Sequence, residues 1–428
     1  MSYRRKGCHP RHQRTRKVEN VLVLQGGGSL GAFGCGVFKG LTKSEFRPDI
    51  VAGTSIGAIN GAIIAGCKSD YPEKALEDFW LELAESSYKI IPDLYVMNRS
   101  HSKKEEGQIK RVSSASINAV MFGVPKMFVP RWMRWWSEGF LGEKEFFEPW
   151  NWTFAYDHSP LEKTLDRYVD YSKLSPAGLK RKSSSQSAGT AANGQPDTPV
   201  RFIATVVNVL TSEPLVFDSA ETEIKAKHLL ASAAYPTYRF PWVALGDDTY
   251  GWDGALLSNT PLREVIDASP RNDKHVVIVE NYPRQIDQLP SNATEITDRT
   301  RDILFSDKTM HNIKMSKLIT RQIELIEYLY DYFENSTSSS TSEKNMSTTS
   351  KKHNAREISR IKREYERLVN NYGAEILSVI RIIKDRVSTP HLLKNADFSP
   401  QTVSQLITEG ELKAVRQLKA FRKEYNTT

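Results

Sequence analysis

The residues with the clearest chemical potential are Gly53-Thr54-Ser55-Ile56-Gly57. They read G-x-S-x-G between a run of strand character, Asp49–Gly53, and a run of helical character, Ile56–Ala65. A sharp strand-to-helix turn strains the backbone at such a serine and presents its hydroxyl, and glycines two residues to either side let neighbouring chain approach. A helix opening just after Ser55 adds a dipole that favours developing negative charge. The chemistry that suits this arrangement is nucleophilic attack on a carbonyl, with Ser55 as nucleophile. The bare pattern is common by chance, and its placement between strand and helix is what gives it weight.

A glycine-rich segment lies one strand–helix unit upstream. Gly26-Gly27-Gly28-Ser29-Leu30-Gly31 follows the apolar run Val21–Gln25 and opens a helix over Leu30–Leu41. Residues without Cβ let backbone N–H groups converge on an anion at a helix N-terminus. That anion could be the oxyanion of a tetrahedral intermediate. The segment also satisfies G-x-G-x-x-G, so it could be the pyrophosphate of a nicotinamide or flavin dinucleotide, which would make the chain an oxidoreductase. A tight turn with no ligand is the bland alternative. The dinucleotide reading wants an acid ending the second strand, to hold ribose. That strand ends in Ala52-Gly53-Thr54-Ser55, and Asp49 stands at its start, which weakens the cofactor reading.

A serine nucleophile needs a base. In an α/β-hydrolase the elbow follows several strands, and a histidine follows the acid. Here one strand precedes the elbow. His275, His311, His353 and His391 lie downstream of the candidate acid, none in a glycine-rich or turn context, so structural or surface roles suit them better. The candidate acid is in Trp252-Asp253-Gly254-Ala255. A carboxylate can act in place of imidazole when partial desolvation raises its proton affinity. By itself D-G-A is a weak signal, because Asp-Gly is a common turn.

In combination these blocks resemble the patatin-like phospholipases. The glycine loop, the elbow and Asp253-Gly254-Ala255 occur in that order, together with Leu229-Leu230-Ala231-Ser232-Ala233-Ala234-Tyr235-Pro236 and Ser258-Asn259-Thr260-Pro261. The resemblance covers about residues 19–285. It implies an α/β fold, a mostly parallel central sheet with helices on both faces, and a Ser55–Asp253 dyad in place of a triad. It further implies a serine esterase of phospholipase A type that hydrolyses acyl esters of phospholipids or related lipids, or transfers the acyl group. By the same resemblance Gly26, Gly27, Gly28, Ser29 and Gly31 form the oxyanion hole, and Gly53, Thr54, Ile56 and Gly57 complete the elbow. Ser29-Leu30 departs from many bacterial members, which carry a basic residue there. No metal and no other cofactor is expected, since neither loop nor elbow offers a cluster of acids for calcium. A non-catalytic membrane adaptor on the same fold is a further alternative.

Stepping outward, strand–helix–strand–helix spacing over the first 65 residues suits a parallel sheet covered by helices. Later strands are expected at Arg201–Leu210, Glu213–Phe217, His275–Asn281 and in a hairpin across Gly246-Asp247-Asp248, and a helix at Glu223–Ser232. The layout is a basic disordered tail over 1–18, a catalytic α/β domain over 19–290 with a low-complexity insertion near 179–199, and a helical region over 291–428. In that last region apolar spacing points to helices at Thr309–Phe333 and Arg356–Ile383, with a disordered Ser/Thr-rich stretch near 335–354 between them. Residues 98–118 read as loop or loose helix.

The net charge is +8, yet Arg4, Arg5, Lys6, Arg11, Arg14, Arg16 and Lys17 sit in a tail with no acid, which leaves the body close to neutral. No extended nucleic-acid footprint is expected on such a body. The tail could meet anionic lipid, and a solvated terminus is the expectation. Three cysteines at no metal-like spacing point to a reducing, cytoplasmic setting. No apolar run of signal-peptide length follows the tail. The uncharged stretch Ile50–Cys67 reads as a buried strand and helix, not a bilayer span. Trp132, Trp135, Trp136, Trp150 and Trp152 crowd residues 120–154 beside Lys126, Arg131 and Arg134. Core or pocket lining is expected there, with peripheral membrane contact as the alternative.

Overall fold

The computed structural model describes residues 17–90, 94–97, 109–112, 114–133, 152–184, 199–268, 270, 272–306, 309–338, 358–368, 372, 374–385 and 393–426. Strand β1 (Val18–Leu24) carries an apolar run whose residues Val21–Leu24 are all buried, as a strand covered on both faces requires. It leads through a single 3₁₀ turn, Gly28–Leu30, into α1 (Gly31–Lys43). Then follow β2 (Ile50–Thr54), α2 (Ile56–Ala65) and α3 (Pro72–Ser86). The uncharged stretch from Ile50 is thus β2 and α2, both buried. No helix among the described residues is long and apolar enough to cross a membrane.

Two short ladders come next. One pairs β3 (Leu94–Met97) with β4 (Ile109–Val112); after α4 (Ala115–Phe122), the other pairs β5 (Val129–Pro130) with β6 (Tyr156–Asp157). The segment expected to be loop or loose helix over 98–118 therefore contains a strand, which was not expected, and the start of a helix. Helices α5 (Pro160–Tyr168) and α6 (Pro176–Ser184) precede β7 (Arg201–Asn208) and β8 (Pro214–Asp218). Helix α6 takes the first residues of the expected insertion, whose remainder, 185–198, lies outside the described residues, as do most of the basic tail and 134–151. Next are α7 (Ala226–Ser232), β9 (Val243–Gly246), β10 (Thr249–Asp253), α8 (Leu262–Asp267) and β11 (Asp273–Glu280). The β9–β10 hairpin turns on Asp247 and Asp248, with φ of 47° and 53°, the left-handed pair of a type I′ turn.

The C-terminal region holds α9 (Ala293–Phe305), α10 (Thr309–Ser338), α11 (358–368), β12 (Ile376–Ile383) and α12 (Pro400–Asn426). It is largely helical, with one correction. The helix expected to run to Ile383 is described over 358–368, and Ile376–Ile383 is a strand. Its β-branched Ile376, Val379, Ile380, Ile382 and Ile383 favour a pleated surface over a helix. Helix α10 also runs to Ser338, into a stretch expected to be disordered, while 339–357 lies outside the described residues.

The main sheet has the order β12-β11-β1-β2-β7-β10-β9, with β8 also on β7. It is mixed. β1, β2 and β7 run parallel; short hairpins join β8 to β7 and β9 to β10 antiparallel, and β10 lies antiparallel on β7. Helices surround it, giving the expected α/β architecture.

The chain divides into two compact units, one formed by Val21–Leu262, Val277–Asp307 and Ile380–Thr428 and the other by Met1–Asn20, Arg263–Val276 and Lys308–Val379. The first contains a continuous core built from Leu22, Leu24, Phe33, Ile59, Phe79, Trp80, Phe202 and their neighbours. Within it α12 lies directly on α1, so closely that a Cβ on Gly36 would stand 1.9 Å from the Ile407 carbonyl oxygen. The second unit buries Ile313 and Ile323 of α10, stacks Tyr330 on Tyr365 at 3.9 Å, and pairs the fully buried Lys274 with Glu19 at 2.9 Å.

Candidate active site

Ser55 stands between β2 and α2 with φ 57° and ψ −129°. A residue with a side chain pays about 1–3 kcal/mol for such a backbone, which persists only where the surroundings over-determine it. The surroundings here are backbone. A Cβ on Gly53 would lie 2.2 Å from the Gly57 carbonyl oxygen, and one on Gly57 would lie 2.2 Å from that of Leu24. The glycine at each position is therefore a steric requirement of the turn. Side chains hold the turn as well. The Ser55 N–H donates to the Ser232 hydroxyl at 3.0 Å. Thr54 donates to the Ser258 carbonyl at 3.0 Å and shares a 2.6 Å hydrogen bond with Thr205 Oγ1.

Asp253 ends β10 and is 1% exposed. Its carboxylate accepts hydrogen bonds from the Ala255 N–H, at 2.8 Å, and from the Ser55 side chain. Burial pushes its pKa up to about 7, against the opposing pull of those two hydrogen bonds. A carboxyl tuned this way can exchange a proton near neutrality.

The glycine loop is held by amides. Gln25 Nε2 donates to Thr260 Oγ1 at 2.9 Å and to the Phe305 carbonyl at 3.0 Å. Asn281 Nδ2 donates to the carbonyls of Gln25 and Gly26, each at 3.1 Å. The Gly26 N–H is engaged with the Asn259 carbonyl at 3.2 Å, and the Gly31 N–H with carbonyls of Gly28 and Ser29. Ser29 is buried and donates its hydroxyl to the Lys394 carbonyl at 3.1 Å. Gly28, at φ 58°, sits beneath Asn395, whose carbonyl oxygen would be 2.4 Å from an added Cβ. Of the five loop residues singled out from sequence, Gly27 and Gly28 line a cavity with Ser55, and Gly26, Ser29 and Gly31 do not.

That cavity, of about 330 Å³, brings Ser55, Ile56 and Asp253 together within a mostly aromatic and aliphatic wall. Phe128 from the aromatic segment lines it and packs edge-on against Tyr156 and Phe240, with ring centroids 5.5 Å apart in both cases. Trp132 is exposed and stays outside. Elements beyond residue 290 supply part of the wall through Arg301, Phe305, Leu393, Asn395 and Phe398. Nothing in the spacing of the sequence marks these residues, or Ser232 and Asn259, as neighbours of Ser55.

The histidine lining the cavity is His158, which sequence reading passed over. It is buried, its Nε2 is 3.0 Å from the Leu230 carbonyl, and burial lowers its pKa. His275 instead bonds to Ser378 at 2.7 Å. His353 and His391 lie outside the described residues. Asp49 precedes β2, at the end remote from the glycine loop, where it could not reach a ribose bound there. Among the described residues no three His, Cys, Asp or Glu side chains are grouped to hold a metal ion.

Comparison with known proteins adds a family assignment. No curated protein matches the chain. Among solved structures it is similar to VipD from Legionella pneumophila, with 15% identity and a TM-score of 0.28, over 92% of this chain and 66% of that one. Residues 22–266, more than half of the chain, match the model of the patatin-like phospholipase family. The protein belongs to the patatin-like phospholipase family.

Proposed function

We propose that the protein is a lipid acyl hydrolase that cleaves carboxylic esters of phospholipids or related acyl lipids through a Ser55–Asp253 dyad. One observation carries the reading: the Ser55 side chain is hydrogen-bonded to a buried carboxylate whose pKa is raised to about 7, inside an apolar cavity. Asp253 takes the hydroxyl proton as Ser55 attacks the ester carbonyl. The oxyanion meets the N–H groups of Gly27 and Gly28, the loop residues that face the cavity. Asp253 then returns the proton to the departing alcohol, leaving an acyl-enzyme. Water, or a second alcohol in a transacylation, gives up a proton to Asp253 as its oxygen attacks the acyl carbonyl, and Asp253 returns that proton to the Ser55 oxygen as the acyl–serine bond breaks. The family assignment supports a lipid as the acyl donor, and the aromatic wall suits an acyl chain. Reaching such a substrate calls for a peripheral encounter with a lipid surface.

The test is labelling with a fluorophosphonate, followed by mass spectrometry of fatty acids and lyso-lipids released from a mixed lipid extract. Wild type labels and releases fatty acid. Ser55→Ala does neither, and Asp253→Asn releases none. Labelling that persists in Ser55→Ala would falsify the assignment. Liposome binding by both proteins with no fatty acid from either would make the chain an adaptor on this fold.

A further inference from the structure

The cavity has one polar wall, and the segment matched by the family does not complete it. Helix α9 supplies Arg301 and Phe305 to the cavity from one face, since they are four residues apart. The same helix holds Asp298 and Asp302 against the buried Lys394, at 2.9 and 2.6 Å. This ion cluster fixes the 3₁₀ turn Lys394–Ala396 to α9 and so places Asn395 beside Arg301. An Arg301 Nη1 donates to Asn395 Oδ1 at 2.9 Å. Asn395 Nδ2 donates to the Tyr282 hydroxyl at 2.8 Å and to the Tyr238 hydroxyl at 3.1 Å.

The direction of these bonds matters. Both phenol oxygens accept from Asn395, so each keeps its own O–H to donate. With the guanidinium, the wall is a cluster of donors in a mostly apolar cavity. Among the described residues, the other charged side chains lining the cavity are Arg239 and Asp253. A donor cluster with a fixed guanidinium suits a group with several anionic oxygens, above all a phosphate.

Resting on the hydrolase reading, we propose that Arg301, with the Tyr238 and Tyr282 hydroxyls oriented by Asn395, forms a phosphate subsite. It selects acyl esters that carry a phosphodiester beside the scissile bond. The asparagine acts through the tyrosines and is a positioning residue. The C-terminal region thereby gains a role in substrate selection, through α9 and the turn at Lys394.

The test compares phosphatidylcholine with diacylglycerol of the same acyl chains, each in the same detergent micelles, by kcat/KM for fatty acid release. Wild type prefers the phospholipid. In Arg301→Gln that preference falls about tenfold or more, as expected for loss of a charged hydrogen bond, mainly through KM. Arg301→Lys keeps an intermediate preference. Tyr238→Phe removes a single hydroxyl and lowers the preference severalfold, which provides a readout should Arg301→Gln fold poorly. Equal loss on both substrates in Arg301→Gln and Tyr238→Phe overturns the proposal, since the residues would then only support the fold. So does a wild type that cleaves diacylglycerol as well as phosphatidylcholine, although Ser55 would remain the nucleophile. Inorganic phosphate is the third arm. If it inhibits diacylglycerol cleavage in wild type alone, with no preference between the lipids, the subsite reads free phosphate and the headgroup assignment falls. A wild type that cleaves neither lipid and does not label sinks the hydrolase reading itself.

Discussion

Ser55 and Asp253 meet across a strand that belongs to neither. β7 lies between β2 and β10, so the two strand axes are roughly 10 Å apart. On β7, Thr205 is opposite Thr54 and the next residue, Val206, is opposite Asp253. Consecutive partners on the shared strand bring both strand ends to the same level, and the Ser55 side chain hydrogen-bonds to the carboxylate. A slip of one residue in the β7–β10 ladder would turn Asp253 to the opposite face of the sheet.

This geometry sets a pH dependence. In the proposed dyad Asp253 is ionised when it takes the proton, and burial pushes its pKa up to about 7. The acidic limb of kcat/KM should therefore have its midpoint near pH 7. Measurement from pH 5 to 9 on a soluble ester checks it, and a limb centred near pH 4 would contradict the burial argument.

The same shift affects stability with a definite sign. The folded carboxyl holds its proton more tightly than the unfolded one. The contribution is therefore fully present below the ordinary carboxylate pKa of about 4 and is lost as pH rises through about 7. Asp253→Asn has no charge to bury. It should be more stable than wild type at pH 8, by on the order of 1–4 kcal/mol, with the gap closing toward pH 4. Thermal melts of both proteins across that range would show it, and a constant gap would refute the linkage.

Ser232 should matter to turnover although it does not line the cavity. Its hydroxyl receives the Ser55 N–H in the strained turn. Ser232→Ala leaves that N–H without its partner, at a cost of about 1–3 kcal/mol. The expected result is a lower melting temperature and a kcat reduced about tenfold with little change in KM. Unaltered kcat would show that the turn holds its shape without this bond.

Gly57→Ala should be far more damaging than a typical glycine-to-alanine change. Its methyl would meet the Leu24 carbonyl at 2.2 Å, backbone against backbone, where no rotamer change can relieve the clash. A loss of about 3 kcal/mol or more is expected in chemical denaturation. A wild-type midpoint would mean that the turn is looser than its geometry implies.

Gly36→Ala tests the seat of the last helix. The added carbon would fall 1.9 Å from the Ile407 carbonyl oxygen and force α12 away from α1. Limited proteolysis should then cut within Pro400–Asn426 sooner than in wild type. Equal cleavage rates would argue that α12 can shift and redock.

Local pattern alone singled out Ser55 as the candidate nucleophile. Strand, strained turn, helix and flanking glycines fall within some fifteen consecutive residues, and each makes sense only with the others. The parallel centre of the sheet was readable for the same reason, because apolar runs and glycine punctuation are local signals. Asp253 was legible only by joining motifs into a family resemblance. Which of the loop glycines face the cavity was not legible, because that cavity is assembled from distant segments. Ser232 is 177 residues from Ser55, and Lys394 is 365 residues from Ser29. Neither pairing leaves a trace in spacing. The strand at Ile376–Ile383 was likewise hidden, because apolar residues three and four apart also occur in a β-branched run. Tertiary packing alone decided that β7 would align the Ser55 and Asp253 strand ends, and that α9 and the turn at Lys394 would close one wall of the cavity. Both depend on contacts between segments whose sequences do not refer to one another.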